Sequence, residues 1–358
     1  MEKGLLIIRT LTPTHPGAGA SVGAIDLMLQ REVTTDFPFI QGSSLKGAIR
    51  SYLELQVVEN KQLAKELIDF VNAEGDEGLK KEVENLTEDK LTIHKARKLV
   101  QGLKKLNKDI EKFRPLFKAL ETVFGPYESS DDFRKGSLII SDASLLFYPV
   151  RTLKGLYALV TCPEILRRLS MPHINFLPEN SKNLLKWDDK EKVLPLGADI
   201  ENFRIGDRVY FEDLNFGIDS NSVDISWINE LPIENEDKSR IFLVNDDVFR
   251  YFVKFATQIV SRNKIDYSTG TVDKKIGGIW TEEHLPPETY LFSYLEDDKK
   301  KVGKIKVKNG EEEEVEKDAT AFEWLNSKIN SEVIHLGGDE TVGKGFVELK
   351  VKNLNGGQ

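Results

Sequence analysis

From residue 59 to residue 122 the chain is dominated by Lys, Glu and Leu with few β-branched residues, while the segments on either side carry β-branched and aromatic runs broken by glycine. Such a stretch favours helices, with breaks near Gly75, Gly78 and Thr87, and it reads as a helical insertion over 57–122. Everything outside it has to form a second kind of structure. Residues 4–11 read as a strand, and 25–40 as two short strands around a Thr34-Thr35-Asp36 turn. At Ser43 the period changes: Leu45, Ala48, Ile49, Tyr52 and Leu53 form one apolar stripe, which predicts a helix over 44–56 with Ser43 near its cap.

Strand character returns at 136–150 and 156–162, and Pro163 is placed to start a helix. Residues 170–206 show no sustained period. Strands are expected near 208–214 and 223–228, followed by a helix over 245–262 that sets Val248, Phe249, Phe252, Phe255, Ala256, Ile259 and Val260 on one side. Residues 263–295 read as a hairpin-like excursion returning in a strand, and 296–317 as an exposed turn. A helix at 319–329 and strands at 332–336 and 345–352 complete the pattern. Interleaved strands and helices with long insertions predict an α+β fold on a mainly antiparallel sheet, and a ferredoxin-like core built from 1–56 and 123–358 is the expected architecture.

No apolar run approaches the roughly 20 residues of a membrane span, and the opening MEKGLLIIRTLTP reads as a first strand rather than a leader, so the expected compartment is the cytoplasm. Cys162 is the single cysteine, which excludes an intrachain disulfide and a cysteine-rich zinc site. It ends the apolar run YALVTC before Pro163 and reads as a buried structural residue. The net charge of −9 argues against a polyanionic partner when taken alone. The acidic residues crowd into segments such as 74–88 and 311–316, however, whereas Lys46, Arg50 and Lys344 stand beside glycines and hydroxyls.

Three constellations carry chemistry. In Gly42-Ser43-Ser44-Leu45-Lys46-Gly47-Ala48-Ile49-Arg50 a glycine and two hydroxyls precede a helix start, whose free N–H groups favour an anion, and Lys46 and Arg50 share a face. An ordinary cap with two solvated cations has the same spacing. In Gly337-Gly338-Asp339-Glu340-Thr341-Val342-Gly343-Lys344-Gly345 the glycines allow a close backbone approach and Lys344 supplies charge, though a tight link between strands explains them equally. The stretch Thr14-His15-Pro16-Gly17 to Ala24-Ile25-Asp26 is a small-residue loop ending in a carboxylate. RNA brings its own 2′-hydroxyl nucleophile, so a lone Asp suffices if it holds a divalent metal at the phosphate. A structural Asp ending a turn fits the same residues. Of the five histidines, His15 and His284 lie in loops with other polar candidates. No paired-cysteine, G-x-S-x-G or H-E-x-x-H pattern is present.

Taken together, LTPTHPGAGASVGAIDLMLQRE, FPFIQGSSLKGAIR, VFGPYESS and HLGGDETVGKGFVEL resemble the RAMP superfamily of CRISPR proteins, and in order and detail the backbone subunits of type III-B (Cmr) effectors. The resemblance implies a ferredoxin-like (RRM-type) core that stacks head to tail along a guide RNA beside other Cmr subunits. It implies a hairpin thumb, for which residues 263–283 are the candidate, and cleavage of paired single-stranded target RNA at regular intervals with Mg2+ or Mn2+. By position in the matching motifs, Asp26 is implied as the catalytic and metal-holding residue, with His15 and Glu282 beside the scissile site. Ser43, Ser44, Lys46 and Arg50 fall on the motif that grips the guide, and Gly337, Gly338, Gly343, Lys344 and Gly345 on the RNA-facing loop. Gln41 replaces a frequent proline and Pro16 an aliphatic residue, and neither removes a functional group. A non-catalytic RNA-coating subunit, and the equivalent subunit of a type III-A (Csm) complex, are the competing readings.

Overall fold

A computed structural model describes residues 1–20, 25–126, 135–272, 278–309 and 313–354. Residues 21–24 of the Asp26 loop, 127–130 of the VFGPYESS motif, 273–277 of the candidate thumb and 310–312 of the acidic run lie outside the described residues. The chain divides into two units, one formed by 1–2, 46–139 and 296–328, the other by 3–45, 140–295 and 329–358.

In the first unit, helices Lys61–Glu74, Glu77–Val83, Ile93–Lys105 and Lys118–Phe124 occupy most of the Lys/Glu/Leu stretch. Their starts are fixed by side chains that accept otherwise orphaned N–H groups: Asn60 from Leu63, Asp76 from Leu79, Thr92 from Lys95. Gly75 ends the first of these helices, while Gly78, expected as a break, lies inside the second. The apolar stripes meet in a core that includes Leu67, Val71, Leu99, Leu103 and Phe113. Residues 296–317, expected as an exposed turn, instead contribute strands Lys301–Asn309 and Glu313–Thr320, paired antiparallel. The mixed charges that suggested a turn are compatible with a hairpin, because only one face of an antiparallel pair must be apolar.

The second unit is organised on a mixed sheet whose strands run in the order Glu332–His335, Phe346–Asn353, Glu2–Thr10, Tyr290–Asp297, Ala143–Arg151, Tyr157–Thr161, Ile241–Leu243, Lys192–Pro195, Leu214–Ile218, Arg208–Phe211. The opening strand pairs antiparallel with the last, Leu6 opposite Val351. Leu5, Leu6, Ile7 and Ile8 are all buried, so both faces of this strand are covered, which explains its continuous apolar run. Helix Pro163–Leu169 has its proline in the first turn, and Cys162 just before it is buried, its thiol pushed well above the ordinary range by burial. No helix among the described residues is long and apolar enough to cross a membrane.

Two expectations are corrected here. Residues 226–230 form a short helix rather than a strand. The helix expected over 245–262 stops at Phe255, and Gln258–Asn263 is a strand paired antiparallel with Ile279–His284. Phe249 and Phe252 are buried as expected, Val253, outside the expected stripe, is buried too, and Phe255 and Ile259 are exposed. The β-branched Thr257, Ile259 and Val260 pair better in an extended ladder than they continue a helix. The resulting small sheet, completed by Leu27–Leu29 and Gly17–Ala20, positions the candidate site.

Candidate active site

Asp26 is set by strand pairing. Leu27, the next residue, lies opposite Glu282 in a parallel pairing, and this brings Asp26 to Thr281. Thr281 donates to Asp26 Oδ2 from its backbone N–H at 2.8 Å and its hydroxyl at 3.0 Å, and these bonds hold the carboxyl below its ordinary range. The residue is exposed and ionised at neutral pH. Because Thr281 binds only one of the two oxygens, the other has lone pairs for a hard cation.

Side chains alternate along Ile279–His284, so Trp280, Glu282 and His284 share one face. Glu282 is 3% exposed and heavily engaged. Arg262 Nη1 donates to both its oxygens at 3.0 and 3.2 Å, Trp280 Nε1 to Oε1 at 2.7 Å, and Lys344 Nζ to Oε2 at 3.2 Å. Arg262 also reaches Asp339 Oδ1 at 2.5 Å, and Lys344 lies 3.7 Å from Asp339 Oδ2. Burial alone raises the Asp339 carboxyl, but the hydrogen bond from Arg262 and the nearby cations leave it below its ordinary range. His284 is fully buried, with Nε2 2.9 Å from the Lys344 ammonium, so Nε2 accepts and the imidazole is neutral. Burial and the Lys344 charge push its pKa down to about 4. Among the described residues its Nδ1 has no hydrogen-bond partner.

The opposite face of the strand holds Glu283, which accepts from Arg31, from Thr257 Oγ1 at 3.1 Å and from the Leu29 N–H at 3.0 Å. The Glu283 carbonyl lies 2.6 Å from His15 Nδ1. A carbonyl only accepts, so Nδ1 carries a proton, and it is the neutral ring that presents a lone pair on His15 Nε2. The His15 and His284 rings are 5.4 Å apart. His15, Gln30, Gln41, Ser44, Gly337 and Gly338 line a cavity of about 200 Å³. Gly337 has a left-handed backbone (φ 90°), and a Cβ there would stand 2.6 Å from the His15 carbonyl oxygen, so the loop lies directly on the His15 backbone. Gly343 and Gly345 bracket Lys344, and the Gly345 N–H donates to the Pro13 carbonyl at 3.0 Å.

Thus His15, Ser44, Gly337 and Gly338 share one cavity, and Glu282 and Lys344 share one ion cluster. Among the described residues no hydrogen bond or ion pair joins Asp26 to His15, Glu282 or Lys344. Ser43 is exposed in the first turn of helix Gly42–Glu54, whose first N–H donates to Asp142. Lys46 and Arg50, counted with the other unit, are half-buried: Lys46 donates to the Leu138 carbonyl at 2.9 Å, Arg50 to the Gly125 carbonyl at 3.1 Å and to Glu54 at 3.2 Å. Burial pushes the pKa of both down. The sequence did not point to Arg262 or Glu283, and it left Asp339 as an obstacle to phosphate. The only signal for Arg262 is its place in a strand that reads as helix.

Donor atoms of Glu282, His284 and Asp339 lie within 4.8 Å of one another, close enough for one metal ion. Lys344 already contacts all three and Arg262 both carboxylates, so two cations balance two anions there. Among the described residues no cation pairs with the exposed Asp26 carboxylate, and its second oxygen is a hard donor of the kind a divalent ion takes.

The RAMP superfamily pattern matches residues 7–348. The CRISPR system Cmr endoribonuclease Cmr4 of Pyrococcus furiosus is 31% identical over all of this chain and 99% of its own length. The crystal structure of oligomeric Cmr4 from the same organism covers 99% of both chains with a TM-score of 0.59 at 24% identity. A Type III-B Cmr-beta complex bound to cognate target RNA contains a chain with a TM-score of 0.59 at 21% identity, covering 98% of this chain and 96% of that one. By a match that spans nearly its whole length, the chain belongs to the RAMP superfamily.

Proposed function

We propose that this chain is a guide-RNA-binding backbone subunit of a type III-B CRISPR (Cmr) effector and the subunit that cuts complementary target RNA. The full-length likeness to a Cmr endoribonuclease supports the activity. The observation that carries the site is Asp26: an exposed, ionised carboxylate fixed by two hydrogen bonds to Thr281. A ferredoxin-like core is supported by the chain order strand Glu2–Thr10, helix Gly42–Glu54, strands Ala143–Arg151 and Tyr290–Asp297, helix Ala321–Ile329, strand Phe346–Asn353. The opening strand sits between the last and Tyr290–Asp297 in the sheet. The hairpin over 263–283 is the proposed thumb; its described part exposes Tyr267, suited to stacking on a base, and Ile265 and Ile279, suited to wedging between bases. Ser43, Ser44, Lys46, Arg50 and the Gly337–Gly345 loop bind guide RNA. Copies of the chain stack head to tail with other Cmr subunits in the cytoplasm.

In the proposed reaction the 2′-oxygen of the target gives up its proton and bonds to the adjacent phosphorus, the P–O5′ bond breaks and the 5′-oxygen takes a proton from water, which leaves a 2′,3′-cyclic phosphate and a 5′-hydroxyl. A divalent ion, Mg2+ or Mn2+, would stabilise charge on the phosphate oxygens, and Asp26 would hold it. His15, protonated on Nδ1, offers Nε2 to take a proton. Glu282 acts through the cations it fixes. Asp26→Asn in the assembled complex, with magnesium and a labelled target complementary to the guide, is expected to abolish regularly spaced products while guide and target binding persist. Unchanged products would make the chain a scaffold and move the active site to another subunit.

A further inference from the structure

Two segments distant in sequence are locked together by the buried ion cluster. Arg262, Glu282 and His284 stand on the paired strands at the base of the hairpin, whereas Asp339 and Lys344 belong to the glycine-rich loop. Arg262 spans the junction, donating to Glu282 on its own sheet and to Asp339 across it, with its guanidinium 5.5 Å above the Trp280 ring. Lys344 makes the reverse connection, from the loop to Glu282 and His284. With His284 neutral, the two carboxylates and two cations sum to zero, so charge is balanced within the cluster at low exposure. The strand that carries Glu282 also carries Thr281, the sole anchor found for the Asp26 carboxylate among the described residues. Any shift of this strand against the loop therefore moves Asp26 relative to RNA lying on the loop.

We propose that Asp339, with Arg262, is a positioning residue: it clamps the glycine-rich loop onto the hairpin base and thereby sets where Asp26 stands against the scissile phosphate. This rests on the function proposed above. Asp339 has a left-handed backbone (φ 66°), a conformation asparagine also adopts readily, so Asp339→Asn removes the charge without backbone strain. Arg262→Lys keeps the charge but loses the planar guanidinium, which lies over Trp280 while its Nη1 donates to both carboxylates.

The experiment compares wild type, Asp26→Asn, Asp339→Asn, Asp339→Glu and Arg262→Lys, each in the assembled complex with guide, magnesium and labelled target. Single-turnover rate, target affinity, product ends and thermal midpoint are read for each. Asp339→Asn and Arg262→Lys are expected to lower the cleavage rate on the order of tenfold to a hundredfold and to broaden the product ends, with target affinity unchanged and a thermal midpoint that is lowered but stays above the assay temperature. Asp339→Glu, which retains the charge, is expected to recover part of the rate. Wild-type rate and product ends in Asp339→Asn, beside an inactive Asp26→Asn, would overturn the clamp and leave the nuclease reading intact. A rate loss matched by an equal loss of target affinity would also overturn it, making the pair an RNA contact. A wild-type complex that does not cut, or Asp26→Asn that still cuts, would overturn both readings.

Discussion

Gly337→Ala tests whether the glycine-rich loop fixes the His15 backbone. The backbone at 337 is left-handed, which costs a residue with a Cβ about 1–2 kcal/mol. The added methyl would also stand 2.6 Å from the His15 carbonyl oxygen, which is 0.8 Å short of the 3.4 Å at which ordinary contact begins. That oxygen is backbone and cannot swing aside, so His15 must retreat by most of this distance. His15 Nδ1 is 2.6 Å from the Glu283 carbonyl, and a retreat of that size stretches the hydrogen bond to its limit, forfeiting about 1 kcal/mol. The expected destabilisation is about 2–3 kcal/mol, read as a shift of denaturant midpoint at constant slope. At the neighbouring Gly338 an added methyl would meet nothing within 4 Å, and the backbone has no positive φ, so Gly338→Ala is the control, expected within about 0.5 kcal/mol of wild type. Equal midpoints for the two variants would refute the close approach and with it the seating of His15 on the loop.

Glu282→Ala strips the shared anion from Arg262, Lys344 and Trp280 and is expected to cost about 3 kcal/mol, as breaking a buried ion pair does; a midpoint within about 1 kcal/mol of wild type would show that the cluster is not held by Glu282. His284 gives a pH signature. Its folded pKa of about 4 lies below the ordinary 6.5, so between these values the unfolded chain binds more protons than the folded one. Stability from this residue is therefore complete above pH 6.5 and lost as pH falls towards 4. Denaturant midpoints at the two ends of that window should differ less in His284→Gln than in wild type.

The helical insertion was legible because Leu, Lys and Glu at helical spacing make a local signal, and the caps at Asn60, Asp76 and Thr92 stand in the sequence beside the helices they start. The helix at Gly42–Glu54 was legible for the same reason. The end of the helix at Phe255 was not. Phe249, Phe252, Phe255 and Ile259 satisfy a helical period in the sequence, and only the pairing of Ile259 with Glu283 and Arg262 with Trp280 turns the last part into a strand. Asp26 and His15 could be singled out from local motifs, but their anchors could not. Thr281 is 255 residues from Asp26, and Asp339 is 77 from Arg262, so the charges that look repulsive to phosphate in the sequence are neutralised by partners that only the fold supplies.

Cys162 has a practical consequence. The chain's one thiol is fully buried just before helix Pro163–Leu169, and its ionisation is suppressed by burial. Alkylating dyes attack the thiolate at an accessible sulfur, so the native protein should pass through such reagents unmarked. A cysteine installed at Tyr267, which is fully exposed on the hairpin, would then be the single reactive handle in the molecule. A fluorophore placed there would report on the hairpin as RNA is bound, without first clearing the background of native cysteines.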